Sequence, residues 1–390
     1  MGGNSSKKMA AAFGISFVWF TTQFGGGFAS GAQLKSYFIS FGIYSLITCV
    51  GAQAIAAFYN AYIGYYSKKH GTHDYRSFNN KFYGKYAPIF SNLYELVYIF
   101  VLLIVPAVAF ATGGGTLARL TGLPYFLCTA VIGGFIFVVA IYGTAIVRKV
   151  ATMLSILIVA GLLLVFIPNI LTQWSAITET MSSMTAAKLP LWPAVWSMLV
   201  YAAFQIAASP AIFSQHSQAL EEPSDAKFTF TVGFFVNSIM VLISTLGLLA
   251  IVSTPEYADS SLPVLLLIEK GVGASVLMPI LSVLIILGAV STAVNMVSAG
   301  TSRAVKMIDK NYNPEGGKPT KSVVISTLVL CVLGFGVAQF GLIPLVAKGY
   351  GFLGYLAFPV ILIPYIIHMV VTNFDRKTEV DRVELEVESA

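Results

Sequence analysis

Three consecutive glycines, Gly25, Gly26 and Gly27, fall inside the first membrane-length apolar run of this sequence, and Ala208-Ser209-Pro210 falls inside the sixth. A continuous helix needs neither feature. Each weakens it, by roughly 1 kcal/mol per Gly and about 3 for Pro. Broken backbone at bilayer depth survives only where it lines a cavity or is buried in protein, and it leaves amides and carbonyls without intrahelical partners. The chemistry on offer is therefore binding by main-chain groups. The half-helix that follows the glycines presents N–H groups and a positive dipole end, suited to a carboxylate. Carbonyls freed near Ala208 and Ser209 suit an ammonium group or a metal ion. Two breaks at matching places in two halves of a chain point to an inverted-repeat transporter whose substrate lies between them.

Side chains beside the breaks add to this set. Gln23, Phe28, Tyr98, Phe204 and Gln205 are placed to wall the space or to meet polar groups of a solute, as are Gln53 and Asn295. Ser291-Thr292, near the middle of the eighth run, offers two adjacent hydroxyls as hard oxygen ligands for Na⁺; the competing reading is interhelical hydrogen bonding. Glu95 is the acidic residue nearest membrane depth and is the alternative proton site, against the simpler reading of an interfacial carboxylate paired with a loop cation. Gly113-Gly114-Gly115 reads instead as close helix packing. His216 reads as a hydrogen-bonding residue on the cytoplasmic side. Cys49, Cys128 and Cys331 each lie in an apolar run and read as packing residues. No zinc-protease, phosphate-loop or metal-spaced Cys/His motif occurs, so an enzyme is not expected, and no cofactor is expected beyond Na⁺ as coupling ion.

The elements that must position these residues follow from composition. Hydrophobic residues make up 57% of the 390 residues and charged ones only 10%, with mean hydropathy +0.80; soluble domains carry about 25% charged residues. Ten charge-free stretches, from Lys8–Lys35 to Lys348–Asp375, are each long enough for a spanning helix. With the N-terminus inside, 18 of the 23 Lys and Arg fall on the cytoplasmic side, which predicts a multi-pass protein of the plasma (bacterial inner) membrane with both termini cytoplasmic. The same bias accounts for the net charge of +6 without a nucleic-acid partner; the partners expected are the lipid bilayer and a small-molecule substrate. Oligomeric state is not legible. The first run is long and lacks a small-residue cleavage site, so a cleavable leader is not expected.

Five runs precede a Ser/Thr-rich external connection and five follow it, so the second set is inverted relative to the first. The expected organisation is a first five-helix repeat over 1–173, the connection over 174–190, a second repeat over 191–372 and a charged tail over 373–390. Leu262-Pro263-Val264-Leu265-Leu266-Leu267-Ile268 is too short to span and is expected to re-enter or cap the external face. The fold class is all-α: ten transmembrane helices in a 5+5 inverted repeat, with helices 1 and 6 broken.

Gly25-Gly26-Gly27-Phe28-Ala29-Ser30-Gly31 resembles the G-x-G-F-A-S-G signature of the YkvI-type bacterial membrane proteins. These in turn resemble the amino acid–polyamine–organocation superfamily, whose fold is that of the sodium-coupled leucine transporter. The resemblance implies alternating access and, in its sodium-coupled members, an ion held by a Ser/Thr pair on helix 8 and carbonyls at the helix 1 break. Those positions match Ser291 and Thr292, with Thr21 and Phe24 supplying carbonyls. Some proton-coupled relatives carry a helix 5 lysine where the sodium would sit; here Lys149 lies only at the cytoplasmic edge and Ser155 deeper, which favours Na⁺. The expected function is sodium-coupled symport of a small amino-acid-like or zwitterionic solute. A proton-coupled or uncoupled carrier of a small amine or organic solute is the alternative, and a passive channel is the least favoured reading.

Overall fold

The computed structural model describes residues 2–142, 144–309 and 319–376. The charged tail from residue 377, the loop cations Lys310 and Lys318, and the side chain of Lys149 lie outside the described residues. Among those described, eight helices are long and apolar enough to cross a membrane unaided. They are helices 2 (Ser45–His70), 3 (Ala87–Thr121), 4 (Tyr125–Tyr142), 5 (Thr144–Thr172), 7 (Asp225–Leu248), 8 (Ala274–Ile308), 9 (Lys321–Ala338) and 10 (within Leu342–Val371). The two remaining expected crossings are the interrupted ones. Helix 1 is Gly2–Gln23, then Gly26–Ala29, then Ala32–Tyr37; helix 6 is Leu191–Ala207, then Ser209–His216.

Local chemistry sets many of the ends. Asp74 caps the short helix Tyr75–Tyr83 between helices 2 and 3, its Oδ1 accepting from the Arg76 and Ser77 amides at 2.9 Å each. Gly71 and Gly122 close helices 2 and 3 at φ 63° and 71°, the left-handed cap that glycine adopts without a Cβ penalty. Large apolar side chains such as Ile47, Phe126, Phe135, Leu171 and Phe235 stand exposed on the flanks. In water such a surface is a liability; in lipid it is the expected exterior.

The packing follows a two-fold that relates each helix to the one five places later. Helix 3 packs extensively on helix 8, and helix 2 on helix 7, each pair being its own symmetry mate. Helix 1 lies on helix 7 as helix 6 lies on helix 2, and helix 3 meets helix 9 as helix 8 meets helix 4.

The two breaks differ in kind. At helix 1 the backbone leaves the helix at Phe24-Gly25, makes one short turn, and turns again at Ser30-Gly31. At helix 6 the interruption is narrower than the sequence implies: only Ala208 intervenes, and its φ −90°, ψ −12° stay in the right-handed region. Pro210 lacks the N–H that would have reached the Ile206 carbonyl, and that carbonyl instead accepts from Ala208 N–H. Helix 6 is thus kinked rather than unwound.

Helix 10 has a departure that periodicity does not signal. It widens into π-helical turns at Leu345–Tyr350 and Phe358–Leu362, which disturb the ordinary carbonyl pairing. Tyrosines supply donors there: Tyr37 Oη bonds the Val346 carbonyl at 2.9 Å, Tyr59 Oη that of Leu362 at 2.9 Å, and Tyr83 Oη that of Val360 at 2.5 Å.

The connection between the two halves forms a helix of its own, Trp174–Ala186, lying at 117° to Leu191–Ala207. The Leu262–Ile268 segment is buried from Pro263 to Ile268 and sits over the last piece of helix 1, where Val264 N–H reaches the Ser30 carbonyl at 3.1 Å.

Candidate functional site

A cavity of about 500 Å³ lies where the breaks meet helices 3, 5, 8 and 10, within the size range of small-molecule sites. Helix 1 brings Thr21, Gln23, Phe24 and Gly25 to its wall, helix 6 brings Phe204, Gln205 and Ala208, and helix 8 brings Ser291 and Thr292. Gly25 and Thr292 are in close register: a Cβ on Gly25 would stand 2.8 Å from Thr292 Oγ1. Thr292 donates its proton to the Gly288 carbonyl at 2.9 Å, so its oxygen is left as an acceptor facing the helix 1 backbone. Ser155 of helix 5 lines the same cavity. Hydroxyl and carbonyl oxygens at this junction suit a hard monovalent cation.

Other expected residues lie elsewhere. Phe28 is 1% exposed and packs edge-on against Phe24 at 4.2 Å; it supports the wall from behind. Gly27 faces Val108, Gln33 and the Tyr350 hydroxyl, while Gly26 opens the short turn. Ser209 is buried, its hydroxyl 3.5 Å from the Gln205 carbonyl. Gln53 is buried in helix 2 outside the cavity wall. Gly113 and Gly114 pack on Ile132 and Thr129 of helix 4.

Glu95 and Tyr98 belong to a separate cluster toward the ends of helices 3 and 8. Glu95 pairs with Arg303, accepts from Tyr75 Oη at 3.2 Å, and has Arg76 Nη1 at 3.9 Å. Arg303 lies over the rings of Tyr75 and Tyr98, 4.9 and 5.6 Å from their centres. The carboxylate is therefore held in a cation–aromatic cage, and neither Glu95 nor Tyr98 lines the cavity.

The cavity reaches toward the side of the bundle that holds both described ends, through Val18, Leu154, Ile212, Gln215 and His216. The ends are tied to that side: Lys8 pairs with Asp225 at 3.4 Å, and Asp375 with Lys69 at 2.9 Å and His70 at 2.8 Å. On the opposite side the site is sealed. Tyr201 packs edge-on or tilted among Tyr37, Phe38 and Phe204 at 4.7–5.4 Å, and Phe204 lies flat on Tyr350 at 4.5 Å. Above them Lys35 donates to the carbonyls of Tyr257, Ala258 and Ser260 at 2.7, 2.7 and 2.9 Å. Gly31, at φ 84°, lets the Pro263-Val264 backbone come so close that a Cβ would be 3.0 Å from Val264 Cγ2.

Two wall residues, Gln33 and Tyr350, and the role of Tyr201 behind them are not given by the sequence. Gln33 is a polar residue in an apolar run, two places after Gly31, and that was the available signal. Tyr201 stands out only as one of several aromatics near the second break, and Tyr350 carries no signal, since one aromatic among many in a membrane helix is unremarkable until packing selects it. Tyr201 Oη donates to Gln33 Oε1 at 3.2 Å and accepts from Gln205 Nε2 at 3.2 Å and Gln23 Nε2 at 3.4 Å.

No protein-family model matches the chain, and no curated protein matches it in sequence. Solved structures do. A manganese transporter of Eremococcus coleocola, in complex with an aromatic bis-isothiourea substituted compound, is 12% identical with TM-score 0.55, covering 100% of this chain and 92% of that one. Mhp1 in an inward-facing conformation is 13% identical with TM-score 0.55, covering 89% of this chain and 73% of that one. Mhp1, described as a nucleobase-cation-symport-1 family transporter, in a closed conformation with bromovinylhydantoin bound, is 13% identical with TM-score 0.55, covering 90% and 78%. At such identities the likeness is one of fold: the broken-helix, inverted-repeat bundle extends over nearly the whole chain.

Proposed function

We propose that this protein is a secondary active transporter that moves a small amino-acid-like or zwitterionic solute by alternating access, coupled to an inward Na⁺ gradient. The observation that carries the reading is the cavity itself. It sits at the meeting of both helix breaks and the Ser291-Thr292 pair, open toward one side of the bundle and sealed on the other. That is the arrangement expected of one end state of an alternating-access cycle, here the state open to the cytoplasm if both termini are cytoplasmic. The helix ends at the helix 1 break offer partial charges to a polar solute, whereas at helix 6 the Ala208 carbonyl is taken by the Ala211 and Ile212 amides and the expected freed carbonyls are absent there. The YkvI-type resemblance rests on the local glycine motif and agrees with this reading.

The ion argument is one of ligand chemistry. Thr292 Oγ1 stands beside Gly25, with Ser291, Thr21 and Phe24 on the same wall; their hydroxyls and main-chain carbonyls would make a neutral oxygen set. Each Na⁺ moving inward gains about 2.3 kcal/mol per 100 mV. Among the described residues no group of three or more His, Cys, Asp or Glu gathers, and the cavity wall contains His216 but neither Asp, Glu nor Cys. The wall's polar groups are chiefly amides and hydroxyls, which supports an organic cargo. Glu95, caged by Arg303 outside the cavity, is poorly placed to carry a transported proton.

The test is reconstitution in liposomes. A thermal-shift screen of amino acids, betaines and small amines, with and without Na⁺, selects a solute, and its uptake is then followed. Concentrative uptake that requires an inward Na⁺ gradient is expected. Equal uptake with choline or potassium in place of Na⁺, tracking pH and failing in Glu95→Gln, would establish proton coupling instead.

A further inference from the structure

Tyr201 is fully buried at the sealed end of the cavity, and three glutamine side chains converge on its hydroxyl. A phenol has one proton to give and two lone pairs to accept with. Of three carboxamides around it, one must therefore present its oxygen and the other two their NH₂ groups. Whichever glutamine takes the proton, the free ends of the three amides come to two carbonyl oxygens and one NH₂. In the arrangement observed these are Gln23 Oε1, Gln205 Oε1 and Gln33 Nε2.

Those free ends have no partner among the described residues. Gln23 is 3% exposed, and its Oε1 is buried with no hydrogen bond. An orphaned buried acceptor destabilises the fold, and the same hydroxyl hub would serve packing as well with fewer amides. All three glutamines line the cavity. Flat rings, Phe204 on Tyr350 with planes 12° apart, stand beside them, and no charged carboxylate or ammonium reaches this end.

We infer that the three glutamines around Tyr201 form a specificity site for a neutral carboxamide or ureido group. The inference rests on the transporter reading above and names the part of the solute that this site would select. Two acceptors and one NH₂ are complementary to a carbonyl flanked by N–H donors. The solute's N–H groups donate to Gln23 Oε1 and Gln205 Oε1, and its carbonyl accepts from Gln33 Nε2. An isosteric carboxylate presents only acceptors and leaves both glutamine carbonyls unpaired. Such a mismatch in a site built to hydrogen-bond is a strong basis for rejection.

Matched pairs test this. Binding to the purified full-length chain is measured by thermal shift and by equilibrium competition, using L-glutamine against L-glutamate, L-citrulline against L-methionine, and nicotinamide against nicotinate. The expected result is that at least one amide or ureide binds, and binds about tenfold or more tightly than its partner lacking that group. Gln33→Glu, which is isosteric but replaces the donor with acceptors, should abolish that preference. Gln23→Leu should weaken amide binding without lowering the melting temperature of the unliganded protein, because the orphaned acceptor is removed. Equal binding of acids and amides, a preference that survives in Gln33→Glu, or no binding by any of the amides would each overturn the inference. Liposome uptake separates this from the transport reading. Amide-selective binding without accumulation under any ion gradient sinks transport and keeps the site, whereas accumulation of a zwitterion without amide preference does the reverse.

Discussion

Gly25→Ala is the sharpest probe of the proposed ion site. Gly25 is not among the positive-φ glycines, so alanine fits its backbone and the whole effect is steric. The new Cβ would stand 2.8 Å from Thr292 Oγ1, about 0.6 Å inside the 3.4 Å limit of ordinary contact. Thr292 cannot simply swing away, since its hydroxyl is tied to the Gly288 carbonyl at 2.9 Å. Overpacking of this kind costs about 1–3 kcal/mol. If the strain falls on the Na⁺-bound geometry, the Na⁺ concentration for half-maximal effect rises by about 5- to 150-fold. The assay is Na⁺-dependent thermal stabilisation of purified protein, at constant ionic strength with choline, followed by uptake. Adding Thr292→Ala removes the clashing oxygen and leaves the Thr292 Cβ position 3.9 Å away, at ordinary contact. The double variant should recover stability without Na⁺ while Na⁺ stabilisation stays lost. Wild-type Na⁺ dependence in Gly25→Ala, or recovered Na⁺ dependence in the double variant, would refute the reasoning.

Two further outcomes follow from contacts at the two ends of the bundle. Lys35→Met removes a charged donor from three carbonyls of the outer cap, so thiol labelling of Val264→Cys, 1% exposed in the sealed state, should become several-fold faster; unchanged labelling would show that Lys35 does not hold the cap, and the native cysteines described are all buried. Asp375 lies in the turn beyond helix 10: burial pushes its carboxyl pKa up, but hydrogen bonds from His70 and Lys69 outweigh this and hold it below the ordinary value. Its contribution is therefore complete above the usual carboxylate range, about 3.9, and is lost as pH falls through the depressed value. Asp375→Asn should accordingly raise amide exchange over 372–376 at neutral pH toward the rate the wild type reaches only in acid, and equal exchange at neutral pH would show that these ion pairs do not hold the turn.

The sequence by itself determined what depends on solvent and on local covalent chemistry. Charge-free runs of bilayer length must be helices, because lipid offers no partners to exposed backbone, and their number and the odd count per half set the inverted repeat. Glycines at 25–27 and proline at 210 marked the breaks for the same local reason. What tertiary structure decided is which side chains meet. Glu95 has the same sequence signature whether it faces a solute or an arginine, and only the packing of helix 8 on helix 3 brings Arg303 to it. Tyr350 lines the cavity at the end of the π-helical turn Leu345–Tyr350, a departure from 3.6-residue periodicity that no local residue type announces. The Tyr201 hub is the fullest case: its glutamines come from positions 23, 33 and 205, and residues so far apart in the chain share one hydroxyl only after the two repeats have packed against each other.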